Sequence, residues 1–264
     1  MEIIKVRNLN YNTSNKSLFK DITLDIESGT FTSIVGENSV GKTMLMKLLS
    51  GSIITDNFIK IDNIQVNKFS VEDIMKRTAT INSYNEFFSK TVMNEILQDK
   101  KNVDIYDVNL VRKLLDNFNL INIENISPLK LSYAENQIVA LIKAIIKKPK
   151  IIFLDNAFSR LDVDKRHELL NYLKKYCKQN DITIILSSND INDLKYSDRI
   201  IYLKNQRIEF DGDYSSFIKL DLNKEGFKLP WALEVSNKLI MYGLIDKETE
   251  NMDELVGELL KWMI

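Results

Sequence analysis

The sequence predicts an α/β fold: a mostly parallel sheet with helices on both faces, followed by a helical extension. Three features predict it. Short apolar runs alternate with helical stretches through the second half of the chain. These runs are apolar throughout, as strands buried on both faces are. An earlier apolar run passes through a glycine-containing loop directly into a helix. At 264 residues the chain can bury a large core, enough for one α/β domain and an appendage.

In order, β-type runs occupy residues 3–6, 22–26 and 31–35, and a helix is expected over about 42–49. A hairpin is expected around 58–66, with Asp62 and Asn63 at its turn. Residues 70–127 read as helical and polar, with a 3.6-residue period over 108–118. After Ser132 an amphipathic helix runs to Lys148 and stops at Pro149. A strand over 151–154 then ends at Asp155. Helix (164–178), strand (183–186), helix (191–196) and strand (199–203) follow, and beyond Gly226 the pattern is wholly helical.

The composition excludes several classes. Thirty-six Lys and Arg nearly cancel thirty-seven Asp and Glu, so a net charge of −1 gives no electrostatic case for nucleic acid as a partner. The single cysteine, Cys177, excludes an internal disulfide or a cysteine metal cluster and agrees with a reducing compartment. The apolar runs are too short to cross a bilayer, and the first residues lack the apolar core of a signal peptide.

Gly36-Glu37-Asn38-Ser39-Val40-Gly41-Lys42-Thr43 matches G-x-x-x-x-G-K-[ST] without a gap. The glycines let consecutive amides turn inward around a phosphate, and the helix that follows aims its positive end at the same anion. Lys42 is placed to neutralise the outer phosphates and Thr43 to ligate Mg²⁺. The motif therefore predicts a phosphate-binding loop for a nucleotide.

The second half carries a more specific likeness. Leu131-Ser132-Tyr133-Ala134-Glu135-Asn136-Gln137, a long helix, and the strand ending at Asp155 resemble the signature, helix and Walker B strand of ABC nucleotide-binding domains. Residues 159–162, 183–190 and 197–203 resemble that family's D-loop, switch strand and closing strand, so the likeness covers about residues 2–220. It implies a RecA-like sheet, an N-terminal antiparallel β subdomain, a helical subdomain at about 82–148 carrying the signature, a nucleotide-binding domain over 1–222 and an extension over 223–264. The tail, with Leu229-Pro230-Trp231, Tyr242-Gly243 and Asp253-Glu254-Leu255, is similar to that of energy-coupling-factor ATPases, the motors of vitamin and metal-ion importers; a generic helical cap is the other reading. The resemblance implies ATP and Mg²⁺ as cofactors, with Thr43 and Asp155 holding the metal. It implies a transmembrane subunit and a second ATPase subunit as partners, and peripheral attachment at the cytoplasmic face of the cell membrane. The transmembrane partner is expected at a groove near residues 80–95.

The departures from the family pattern fall on catalysis. Asn156 stands where the catalytic glutamate is expected, and an amide cannot accept a proton at neutral pH. Asn189 stands at the switch histidine. The only histidine, His167, is expected at the surface on the helix after the D-loop. Ile81 or Asn82 stands at the Q-loop glutamine, and Tyr133 and Ala134 replace the signature glycines. Such subunits pair head to tail, so Ser132 would serve the partner's nucleotide in trans, while Tyr133 adds bulk at that approach. Tyr11 is either the adenine-stacking aromatic or an ordinary core or surface tyrosine. These changes predict retained ATP binding with weak hydrolysis. The alternative is an inactive ATP-binding half of a heterodimer whose other subunit turns over.

Overall fold

The computed structural model describes residues 1–14, 16–100, 103–220, 227, 231–247, 249 and 252–262. The expected boundary at 222/223 and the Leu229-Pro230 pair lie outside them.

The chain begins with two long strands, β1 (Glu2–Asn12) and β2 (Ser17–Glu27), paired antiparallel. Next come β3 (Phe31–Gly36), α1 (Lys42–Leu49), β4 (Phe58–Ile61) and β5 (Ile64–Gln65). Asp62 and Asn63 both have positive φ (49° and 65°), the turn conformation whose twist suits a two-residue hairpin. β2, β1, β4 and β5 form a four-stranded sheet in that order, the antiparallel portion expected from the sequence.

α2 (Val71–Arg77) leads directly into β6 (Thr78–Asn82), and the helices α3 (Val92–Leu97), α4 (Ile105–Asn117) and α5 (Tyr133–Ile146) follow. β7 (Ile151–Asp155), α6 (Val163–Asn180), β8 (Thr183–Ser187), α7 (Ile191–Leu194), β9 (Arg199–Lys204), β10 (Arg207–Gly212) and α8 (Tyr214–Phe217) come next. The chain closes with α9 (Trp231–Met241) and α10 (Met252–Trp262). The main sheet has the order β10-β9-β3-β8-β7-β6; all its pairings are parallel except that of the edge strand β10.

Two elements depart from the sequence expectation. β6 lies inside the stretch read as helical and polar, pairing Asn82 with Asp155 at the ends of β6 and β7. β10 was not expected and forms a hairpin with β9.

One core cluster lies between the two sheets and joins residues of β1, β2 and β4 to α1, β7 and β8. A larger one on the opposite face packs α3, α4, α5 and α6 against the main sheet. Cys177 is fully buried there with its Sγ 3.5 Å from the Gly29 carbonyl, and burial pushes its thiol up to about 11. The C-terminal helices share a small core of Ala232, Ile245 and Leu255.

Candidate functional site

The site lies at the carboxyl ends of β3, β7 and β8, where ligands bind in parallel α/β sheets. β3 is buried along its whole length, so the loop after it is anchored in the core. A Cβ on Gly36 would come 2.5 Å from the Leu203 carbonyl of β9 and 2.9 Å from the Val40 side chain. A Cβ on Gly41, where φ is 111°, would meet the Phe19 ring at 2.9 Å. Ser39 between them also has positive φ, 65°. The loop is thus bent tightly against its surroundings at the positions where the motif requires glycine.

Lys42, the first residue of α1, turns back into this loop. Its ammonium donates to the carbonyls of Gly36 (2.7 Å) and Glu37 (2.9 Å), and the residue is 6% exposed. Burial lowers its pKa to about 8, opposed by the attraction of Asp155. Thr43 donates its hydroxyl to Asp155 at 3.1 Å, across 112 residues of sequence. A hydroxyl and a carboxylate brought together beside an ammonium and a helix N-terminus suit a phosphate with a hard divalent cation.

Asn156 follows Asp155 with φ 49°. Asn189, in the loop after β8, donates from its amide to the Asn38 side chain at 2.8 Å, which links the switch position to the phosphate loop. Behind it, Arg166 pairs with Asp190 at 2.5 Å and Ser188 donates to Asp193 at 2.7 Å. A groove of about 640 Å³ opens here, lined by Asn38, Asn156, Ser187, Asn189, Arg166 and Trp231 among others. The buried Ser187 hydroxyl finds no hydrogen-bond partner among the described residues, while the second oxygen of Asp193 faces the Arg166 Nε at 3.1 Å.

Other expected residues are placed differently. Ile81 is fully buried in the large core, because alternate strand residues face opposite ways; Asn82, beside Asp155, is the exposed one of the two. His167 is half-buried rather than on the surface, its ring 5.9 Å from that of Tyr196. Burial and the nearby Lys195 and Arg166 lower its pKa. Tyr11 is half-buried with its ring 6.4 Å from that of Phe19. A small cavity beside the phosphate loop is lined by Lys16, Ser17, Leu18, Asn205 and Gln206 together with the loop itself. No motif marked these residues; only the approach of β2 and the β9–β10 turn brings them there.

Ser132 is exposed at the N-cap of α5 and joins Glu135 in a capping box. Its amide and its hydroxyl both donate to the Glu135 carboxylate at 2.7 Å. Tyr133 is half-buried and turned back into its own chain, its phenol donating to the Ala157 carbonyl at 2.9 Å.

A phosphate loop after a central parallel strand, with its threonine bonded to an aspartate closing a nearby strand, defines the architecture of a P-loop nucleotide-binding protein. The ABC transporter family matches residues 19–159. The energy-coupling factor transporter ATP-binding protein EcfA1 of Oenococcus oeni is 31% identical, covering 99% of this chain and 98% of its own. EcfA of Pediococcus pentosaceus is 30% identical, covering 99% and 96%. Among solved structures, cbiO1 of Clostridium perfringens, part of the ABC transporter complex cbiONQ, shares the fold with a TM-score of 0.75 at 23% identity, over 92% of this chain and 97% of that one. The chain belongs to the ABC transporter family and resembles energy-coupling factor ATP-binding proteins over nearly its whole length.

Proposed function

We propose that this chain is the ATP-binding subunit of an energy-coupling-factor type importer, that it binds Mg-ATP, and that its own site hydrolyses ATP weakly. The observation that carries the binding half is the cradle formed by the loop 36–43, Lys42 and the Thr43–Asp155 pair. The loop amides and Lys42 would hold the phosphates, and Thr43 and Asp155 would hold Mg²⁺, which neutralises the terminal phosphate oxygens. Asn38, Ser39 and Val40 contribute backbone and shape to the cradle. Tyr11 is the residue proposed to stack on the adenine ring, an ordinary core or surface tyrosine being the other reading.

Weak hydrolysis follows from chemistry. Asn156 and Asn189 can orient a water but cannot take its proton. Lacking a positioned base costs ~10²–10⁴-fold in rate. The test is Mg-ATP binding and turnover by the purified chain, with Lys42→Ala as the blank. Tight binding with slow, Lys42-dependent turnover supports the proposal, and tight binding with turnover no greater than the blank favours the inactive reading below. Binding that survives Lys42→Ala removes its first half, and rapid Lys42-dependent turnover removes its second.

A second reading makes the chain the inactive half of a heterodimer with an active ABC subunit. It is favoured by Asn189, whose amide is already given to Asn38 of the chain's own phosphate loop at 2.8 Å, so that the switch position of this site holds a group without a base. The attachment proposed for a transmembrane subunit is the pocket of about 430 Å³ between β6 and α5, lined by Asn82, Asn85, Phe87 and Lys143. Tyr84 and Phe88 are exposed in the same segment, and Glu95 holds that segment by accepting from the Phe88 and Ser89 amides (3.0 and 2.9 Å) and from Lys143 (2.7 Å). Such attachment would place the chain at the cytoplasmic face of the membrane.

A further inference from the structure

We infer that Tyr133 is a positioning residue that ties the first turn of α5 to the loop following Asp155 of the same chain. Its phenol donates to the Ala157 carbonyl at 2.9 Å, and its ring packs against the large core. Four residues on, the fully buried Gln137 reaches the same place. In the amide orientation that satisfies its neighbours, its nitrogen lies 3.0 Å from the Ala157 carbonyl and 3.2 Å from that of Asn82. Its oxygen then accepts from Asn85 at 3.2 Å. Residues four apart share one helix face, so α5 directs two donors at one carbonyl, which has a lone pair for each.

That carbonyl belongs to a tight turn. The Ser159 amide and hydroxyl both bond the Asn156 carbonyl, at 3.3 and 2.9 Å. Asn156 itself sits at φ 49°, a conformation that persists when the surroundings enforce it. Through Tyr133 and Gln137, a shift of α5 moves Asn156 and residues 159–162 with it. Building on the nucleotide-binding reading, the tie passes the state of the nucleotide site to the helical layer within one chain.

The test is amide hydrogen exchange on the full chain and on Tyr133→Phe, which keeps the ring and removes only the hydroxyl, with and without Mg-ATP. Without nucleotide, Tyr133→Phe should speed exchange over residues 156–161 about five- to tenfold, the effect of one lost hydrogen bond, and leave β1 and β2 unchanged. With nucleotide, the protection that Mg-ATP confers on α5 in the parent chain should vanish in Tyr133→Phe. Unchanged exchange over 156–161, a rise throughout the chain, ATP-induced protection of α5 that survives the substitution, or none in the parent chain would each overturn the inference. If the parent chain takes up no ATP, the nucleotide-binding reading is what fails, and the nucleotide-free exchange alone decides the tie.

Discussion

Lys42 makes a pH prediction of its own. Its pKa is depressed to about 8 by burial, so between that value and the ordinary lysine range the unfolded chain binds a proton that the folded chain does not. Its contribution to stability therefore rises with pH across that window, while the ammonium needed for phosphate is lost. Nucleotide affinity should fall as pH rises through about 8, and calorimetry near that pH in two buffers of different ionisation heat should show proton uptake on binding. Asn156→Glu should raise turnover, by up to ~10²–10⁴-fold if the missing base is the main defect. Steady-state phosphate release measures it, and no gain would put the defect elsewhere. The phosphate-loop residues were legible in sequence because the motif itself dictates their geometry. The Asn189–Asn38 bond was not, since it joins side chains 151 residues apart.

Strand β6 shows how an element can escape a sequence reading. Thr78 to Asn82 holds one large apolar residue, and it follows α2 with no glycine or proline to mark the change. Its strand character comes from the partner β7, whose apolar run was plain to read. β10 escaped for a related reason: as an edge strand it alternates half-buried with exposed residues and carries little apolar signal. The register of β6 separates its two candidate residues. Ile81→Ala should cost ~2–5 kcal/mol in denaturant unfolding, because it opens a cavity in a closed core. Asn82→Ala removes an exposed side chain and should change stability by about 0.5 kcal/mol or less. Equal losses would contradict the alternation described for this strand.

At the scale of the molecule, the antiparallel and parallel sheets share one core cluster, so they should unfold as a unit. Among the described residues the C-terminal helices share only a small apolar cluster around Ala232, Ile245 and Leu255, and they should open at lower denaturant. Both tryptophans of the sequence, Trp231 and Trp262, lie in those helices. Indole fluorescence should therefore change at lower urea than far-ultraviolet circular dichroism, and coincident transitions would show a single unit instead. The layered architecture was readable because buried parallel strands declare themselves by composition. The seating of Trp231 at the rim of the nucleotide-side groove was not, since it depends on a tertiary approach. Cys177 has a practical consequence. A thiol sealed in the core and protonated up to about pH 11 should not react with a maleimide while the chain is folded. The natural sequence is thus already a silent background for labelling: one cysteine introduced at an exposed site, Phe88 or Leu129 for example, would carry a spin label or fluorophore alone, with no native residue to remove first.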